Sequence, residues 1–296
     1  MARRIHLTSI FSIYASAALS ALPASADVKI VSWNMKHLGR ASQDLPLVAS
    51  ALTGADLVML QEVDTGKQGA TALTKLAALV SETTKSRYCV GLSEIPTDAR
   101  ERYGMLWRED SLAYVTTKGT LITACPEYAV TLRLGAKGAE KIVREPAVAL
   151  FQERATSKKF MAVTIHTVPT AKHPENEVPY VFESATDAAG KFPVVVGGDF
   201  NLGCDHSAFV AALGAQFVPA IPCQTKTSLK MKARAFNAAY DNLLSRGMTS
   251  SGGTVVNVYI LFEKLSHSEI YKKISDHAPV TATFSIDDEA AAKAKK

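Results

Sequence analysis

Past its first 26 residues the chain has no apolar run long enough to cross a bilayer, which excludes a membrane-spanning helix there. It has only four cysteines, scattered and without a C-x-x-C pair, which argues against a zinc site built from them. Nor is there a strong excess of either charge. The 33 Lys and Arg stand against 28 Asp and Glu, a net +5 that falls by two, to +3, if Arg3 and Arg4 leave with a leader. So small an excess neither requires nor opposes a polyanionic partner. No repeat, composition break or Pro/Gly/Ser-rich linker divides the chain. Residues 27–286 are therefore expected to form one domain, followed by a solvated tail, 287–296, whose helical composition lacks an apolar face.

What the chain does have begins with a leader. "MARR" is a basic start, "LTSIFSIYASAALSAL" a small-residue apolar core, and "ASA" ending at Ala26 a small-x-small cleavage site. Residues 1–26 are expected to be a secretory signal, and the mature protein to be secreted or periplasmic. An even number of cysteines in an exported chain suggests two disulfides. Of the three connectivities, sequence order favours Cys89 with Cys125 and Cys204 with Cys223.

Along the mature chain "VKIVSWN", "DLPLVASALTG" and "DLVMLQE" read as strand, helix and strand. "TALTKLAALV" places Leu73, Leu76, Leu79 and Val80 on one helical face. Short strands follow at "RYCVGL", "YGMLW", "SLAYVTT", "AVALF" and "FMAVTIH", then a helix at "PYVFESATDAAG" and a strand at "FPVVVGGD". The last third adds a helix near "HSAFVAALG" and strands at "YDNLLS", "TVVNVYIL" and "APVTATF". Helix-separated and hairpin-like strands both occur, so the expected fold is α/β, with mixed sheets faced by helices.

Polar groups recur where these strands end. Asn34 closes the first strand, Glu62 the second and His166 "FMAVTIH"; Asp199 and Asn201 follow "VVVGG", Asp241 stands in "AYDNLL", and Asp276 and His277 are adjacent in "ISDHAP". A shared position points to a shared cleft, because ligands of open α/β sheets bind at the carboxyl ends of strands. The set suits phosphodiester hydrolysis. Histidines transfer protons near neutral pH, a carboxylate on the far ring nitrogen fixes their tautomer, and carboxylates such as Glu62 hold a hard divalent ion. Asn34 and Asn201 can donate amide hydrogens to phosphate oxygens.

With "WNMKHLG", "VMLQEV", "ERYGMLWR", "REPAVALF", "IHTVPT", "GDFNLGC", "AYDNLL" and "ISDHAPV" in this order, the sequence resembles the endonuclease/exonuclease/phosphatase superfamily, and within it the secreted deoxyribonuclease I type. The resemblance implies a four-layer sandwich of two packed mixed β-sheets flanked by helices. It also implies cleavage of DNA, with RNA as a further candidate, using Mg²⁺ or Mn²⁺, with Ca²⁺ a further candidate ion. Carried over by position, Glu62 is the principal metal ligand, helped by Asp276, with Asn34 near the metal or phosphate. His166 is oriented by Glu101 and His277 by Asp241, and Asp199 and Asn201 flank the scissile phosphate. Arg144 is expected to contact nucleic-acid phosphate. "IHTVPT" sets the chain apart from abasic-site endonucleases, which place an asparagine motif where His166 stands.

Departures from the deoxyribonuclease I pattern fall in the binding loops. Asp64 and Ala99 stand where that type has a minor-groove arginine and tyrosine, and Asp64 is expected to repel phosphate unless Lys67, Arg100 or Arg102 offsets it. Asn242 replaces a cation, so Arg102 and Asn242 join the substrate-contact candidates. Ala238 replaces a cysteine, which leaves Cys223 for Cys204. A sphingomyelinase-like lipid phosphodiesterase and a toxin-type nuclease subunit of the same superfamily are the competing readings. The basic segment holding Lys226, Lys230, Lys232 and Arg234 suits a polyanion better than a bilayer. No stable membrane association is expected, and the protein is expected to be a monomer.

Overall fold

Three separate apolar clusters explain the layering. The computed structural model describes residues 27–40, 42–97, 99–135, 138–214 and 216–287. The expected signal and all but the first residue of the expected tail therefore lie outside the described residues. The strands are β1 (Asp27–Leu38), β2 (Leu57–Asp64), β3 (Tyr88–Ser93), β4 (Glu101–Arg108), β5 (Leu112–Val115), β6 (Leu121–Ile122), β7 (Val130–Leu134), β8 (Ala147–Glu153), β9 (Lys159–His166), β10 (Val194–Asp199), β11 (Val218–Pro219), β12 (Asp241–Arg246), β13 (Met248–Val255) and β14 (Val280–Ile286). The helices are α1 (Leu45–Ser50), α2 (Lys67–Thr84), α3 (Val178–Ala189), α4 (Val210–Gly214), α5 (Val258–Leu261) and α6 (His267–Lys273).

One sheet runs β3-β4-β2-β1-β14-β13 and the other β11-β12-β10-β9-β8-β5-β6, and β7 joins them by pairing with both β3 and β8. The first cluster, with Met59, Met105 and Trp107 from one sheet and Phe151, Phe160 and Leu243 from the other, fills the space between the sheets. The second lies between the first sheet and α1, α2 and α6; the third, with Val181, Phe182 and Ala185 of α3, lies outside the second sheet. The result is the expected helix–sheet–sheet–helix order. Strands covered on both faces read as unbroken apolar runs, as "VVV" of β10 does.

Local chemistry sets the element boundaries. Asp44 caps α1 by accepting from Leu47 N at 3.3 Å, and Leu73, Leu76 and Val80 form the buried face of α2. Gly197 lets the sheets approach, since a Cβ there would lie 2.4 Å from Met59 Cε. A Cβ on Gly198 would meet Ile165 O of β9 at 1.9 Å. The two glycines of "VVVGGDFN" are thus required by packing on two sides. Both expected disulfides are present, Cys89–Cys125 and Cys204–Cys223.

The reading of "TVVNVYIL" as one strand is corrected. β13 stops at Val255, and Asn257 then accepts from Tyr259 N at 3.0 Å and starts α5. α6 escaped the sequence reading, although Ser266 and Glu269 form a reciprocal capping box that marks its start.

Candidate active site

Strand register assembles the site. Asp199 at the end of β10 pairs with His166 at the end of parallel β9 and with Asp241 at the start of antiparallel β12. In the other sheet, Glu101 opens β4 beside Asp64, which closes β2. Glu62 is turned into the cleft by irregularity in the pairing of β2 with both neighbours, and its backbone adopts the left-handed φ of 56°. Asn201 has φ 48°, with Phe200 before it anchored against Phe182 and Phe209. Two non-glycine residues of one cleft in this conformation are the kind of backbone cost that functional sites carry.

Each histidine is backed by a carboxylate and aims its other nitrogen at a common point. Nδ1 of His166 lies 2.5 Å from Glu101 Oε1, and Nδ1 of His277 lies 2.7 Å from Asp241 Oδ2. Their Nε2 atoms stand 3.5 Å and 3.6 Å from the same oxygen, Asp199 Oδ2. Asn34 Nδ2 donates to Asp199 Oδ2 and to Glu62 Oε1, each at 3.0 Å, and so ties the sheets together. Below it Gln61 Nε2 makes a second inter-sheet link, donating to Ser32 Oγ at 3.0 Å and Thr164 Oγ1 at 2.8 Å.

The charges perturb one another strongly. Burial pushes the His277 imidazole down, but Asp241, Asp199 and Asp276 outweigh it and raise its pKa to about 10. His166 is likewise raised, because Glu101 and Asp199 overcome burial. Burial pushes the Glu62 carboxyl up, yet His37, His166 and Asn34 together hold it down at about 2.

Several candidates stand elsewhere than expected. Asn242 is not a substrate contact: its carboxamide is buried, donating to Ile221 O and Cys204 Sγ and accepting from Ile221 N. Arg144 faces inward, donating to His166 O at 2.7 Å and to Thr167 O, with Nη1 3.3 Å from Glu101 Oε1. It braces the end of β9 instead of presenting a free cation. Arg102 is partly buried near Asp64, and its Nε has no hydrogen-bond partner among the described residues. Asp64 is not a bare negative charge, because Arg40 Nη2 lies 2.6 Å from its Oδ2 and Gly66 N donates to its Oδ1. Asn34 meets the cluster through its amide nitrogen, while its Oδ1 accepts from Lys36 N at 2.9 Å. Asp276 is 3.7 Å from Lys36 Nζ, which also donates to Tyr271 O. Of the basic segment, Lys226, Lys230, Lys232 and Arg234 are all exposed, and Arg234 lies over the Tyr259 ring.

Sequence reasoning did not single out His37, Thr227 or Tyr103. His37 Nδ1 is 3.0 Å from Glu62 Oε2; its place within "WNMKHLG", three residues after Asn34, was the available signal. Thr227 Oγ1 donates to Asp241 Oδ2 at 2.6 Å, and Tyr103 OH accepts from His166 N at 3.2 Å. Nothing local in the sequence marks either.

Among the described residues, three groups bring metal-ligating atoms within 4.8 Å: Asp199 with Asp241 and His277, His37 with Glu62 and Glu101, and Cys89 with Glu109 and Cys125. The last is a disulfide and offers no thiolate. The second joins two carboxylates to an imidazole at the cleft mouth, a donor set that fits a divalent ion.

The sequence profile of the Endonuclease/Exonuclease/phosphatase family matches residues 31–277, from β1 through His277. The chain belongs to this family. Membership places it among nucleases and phosphatases. A "Deoxyribonuclease" of Thioalkalivibrio sp. (strain K90mix) is 28% identical over 279 residues, covering 88% of this chain and 72% of the relative. The fold is similar to that of an endonuclease/exonuclease/phosphatase family protein from Bacteroides thetaiotaomicron, with TM-score 0.60, 15% identity and coverage of 90% of this chain and 100% of that one. It is also similar to D. rerio TDP2 complexed with single strand DNA product, with TM-score 0.59, 16% identity and coverage of 88% and 99%.

Proposed function

We infer that the protein is an exported, divalent-metal-dependent endonuclease that hydrolyses phosphodiester bonds of DNA. The observation that carries this is the convergence of two carboxylate-backed histidines on Asp199 Oδ2, at 3.5 Å and 3.6 Å. A single acid or base suffices for many hydrolyses; a pair aimed at one point suits a displacement in which one group takes a proton as another gives one. The 28%-identical deoxyribonuclease supports DNA as substrate, and D. rerio TDP2, of similar fold, is itself complexed with single strand DNA product. Two disulfides support export.

In the proposed reaction His277 Nε2 takes a proton from water as the water oxygen bonds to phosphorus. The bond from phosphorus to the leaving oxygen breaks, and His166 Nε2 delivers a proton to that oxygen. Asp241, itself held by Thr227, and Glu101 fix the tautomers and stabilise each imidazolium. Asn201, whose Nδ2 keeps one hydrogen beyond that given to Thr167 O, hydrogen-bonds a phosphate oxygen, and Asn34, with both amide hydrogens taken, orients Glu62 and Asp199. Glu62 and Glu101 would hold the ion, which would supply positive charge to the phosphate and lower the proton affinity of the nearby imidazoles. We assign this work to a monomer of one domain, residues 27–286, cut from its leader after Ala26.

The test offers purified protein supercoiled DNA, single-stranded DNA, RNA and sphingomyelin, with Mg²⁺, Mn²⁺, Ca²⁺ or chelator. Nicking of DNA that stops in chelator supports the reading. Turnover of sphingomyelin alone, or full nuclease activity in chelator, overturns it.

A further inference from the structure

His37 is poorly explained as a packing residue. Its side chain is 51% exposed, and no buried cluster includes it. Yet both His37 and its neighbour Lys36 take the left-handed backbone, at φ 65° and 47°, where β1 departs from regular pairing between Asn34 and Leu38. Glu62 on the adjacent strand is distorted in the same sense, at φ 56°. The two irregularities bring His37 Nδ1 to 3.0 Å from Glu62 Oε2, with Glu101 close enough to complete a set spanning less than 4.8 Å. Backbone held in this conformation is costly for a residue with a side chain and persists where the surroundings demand it. Meanwhile Asp276, the carboxylate expected to assist Glu62, is engaged by Lys36. That ammonium is held in turn by Tyr271 O at 2.7 Å and by the Tyr271 ring, 3.5 Å from its centroid.

We propose that His37 is a direct ligand of the divalent ion, so that this site takes Mn²⁺ or Co²⁺ in preference to Mg²⁺. The proposal rests on the metal-dependent reading above and deepens it. Glu62 and Glu101 supply two negative charges, which balance a dication, and the third donor is a neutral nitrogen instead of a further carboxylate. Imidazole suits borderline transition ions, whereas Mg²⁺ prefers oxygen and sheds its waters reluctantly. The half-exposed ring is free to adjust to the ion without unpacking the core.

The test is isothermal titration of the full chain with the chlorides of Mg²⁺, Mn²⁺ and Co²⁺, together with pulsed electron paramagnetic resonance of the Mn²⁺-loaded protein. Wild type, His37→Ala, His37→Gln and Glu62→Gln are compared, with thermal melts confirming that each folds. Wild type is expected to show nitrogen coupling to Mn²⁺ that His37→Ala lacks. Removing the imidazole is expected to weaken Mn²⁺ and Co²⁺ roughly tenfold to a hundredfold and Mg²⁺ by less than about threefold. His37→Gln, which keeps an oxygen donor, should retain Mg²⁺ without recovering Co²⁺. Nitrogen coupling that survives in His37→Ala, or equal weakening of all three ions, overturns the proposal. If Glu62→Gln abolishes binding while His37→Ala leaves it unchanged, the proposal fails and the metal-dependent reading stands. If wild type binds no ion, both fall.

Discussion

His166 and His277, 111 positions apart in the chain by subtraction of their numbers, share one neighbour: each points Nε2 at Asp199 Oδ2. His166→Ala and His277→Ala are each expected to lower kcat on DNA by roughly a hundredfold to ten-thousandfold. Asp241→Asn should act through His277, so that adding it to His277→Ala costs little more. Steady-state kinetics on a defined oligonucleotide check this, and fully additive losses would show that Asp241 works independently.

Stability in chelator should fall on both sides of neutrality. The folded pKa of Glu62 is depressed from 4.5 to about 2, so its contribution is present above pH 4.5 and disappears as pH falls toward 2. The shift corresponds to about 3 kcal/mol. His277 is shifted upward from 6.5 to about 10, so its contribution is complete below pH 6.5 and is lost as pH rises through 10. Urea denaturation across pH should show both limbs, with Glu62→Gln flattening the acid side and His277→Gln the alkaline side.

Arg40 should carry the grip that the exchanged loop positions removed. It is half exposed and paired with Asp64 at 2.6 Å. Arg40→Ala is expected to raise KM for duplex DNA and to reduce the salt slope of binding by about one. Asp64→Arg, although it restores the cation of the deoxyribonuclease I pattern, sets two cations side by side and removes the acceptor for Gly66 N. Fluorescence anisotropy at several salt concentrations distinguishes these outcomes.

Loss of the Cys204–Cys223 bridge, which closes a sequence separation of 19, should destabilise the fold by about 3 kcal/mol. Cys204 lies three residues beyond Asn201, and its sulfur accepts from Asn242. Reduction is therefore expected to lower activity as well as Tm, whereas loss of Cys89–Cys125 should affect Tm alone. Paired Ser substitutions, melted and assayed separately, check both.

Glu62, His166 and Asp199 were legible because each follows apolar strand residues whose register leaves it little freedom, whereas Glu101 opens its strand and came only through the resemblance. The layer order was legible through the resemblance, and the strands through their β-branched runs. What escaped it was directional. Whether Asn242 points to substrate or core depends on strand alternation beside Asp241, and whether Arg144 reaches solvent depends on the free carbonyls at the end of β9. Pairings such as Thr227 with Asp241 and His37 with Glu62 arise from loops and bulges that leave no periodic trace.

The Asn34 and Gln61 links join strands of different sheets, and so do the groups they support: Glu62 and Glu101 belong to one, and His166, Asp199 and Asp241 to the other. Neither half holds a complete reacting centre. On the proposed export, a chain kept unfolded in transit would lack a reacting centre, and would gain one only where both halves can dock.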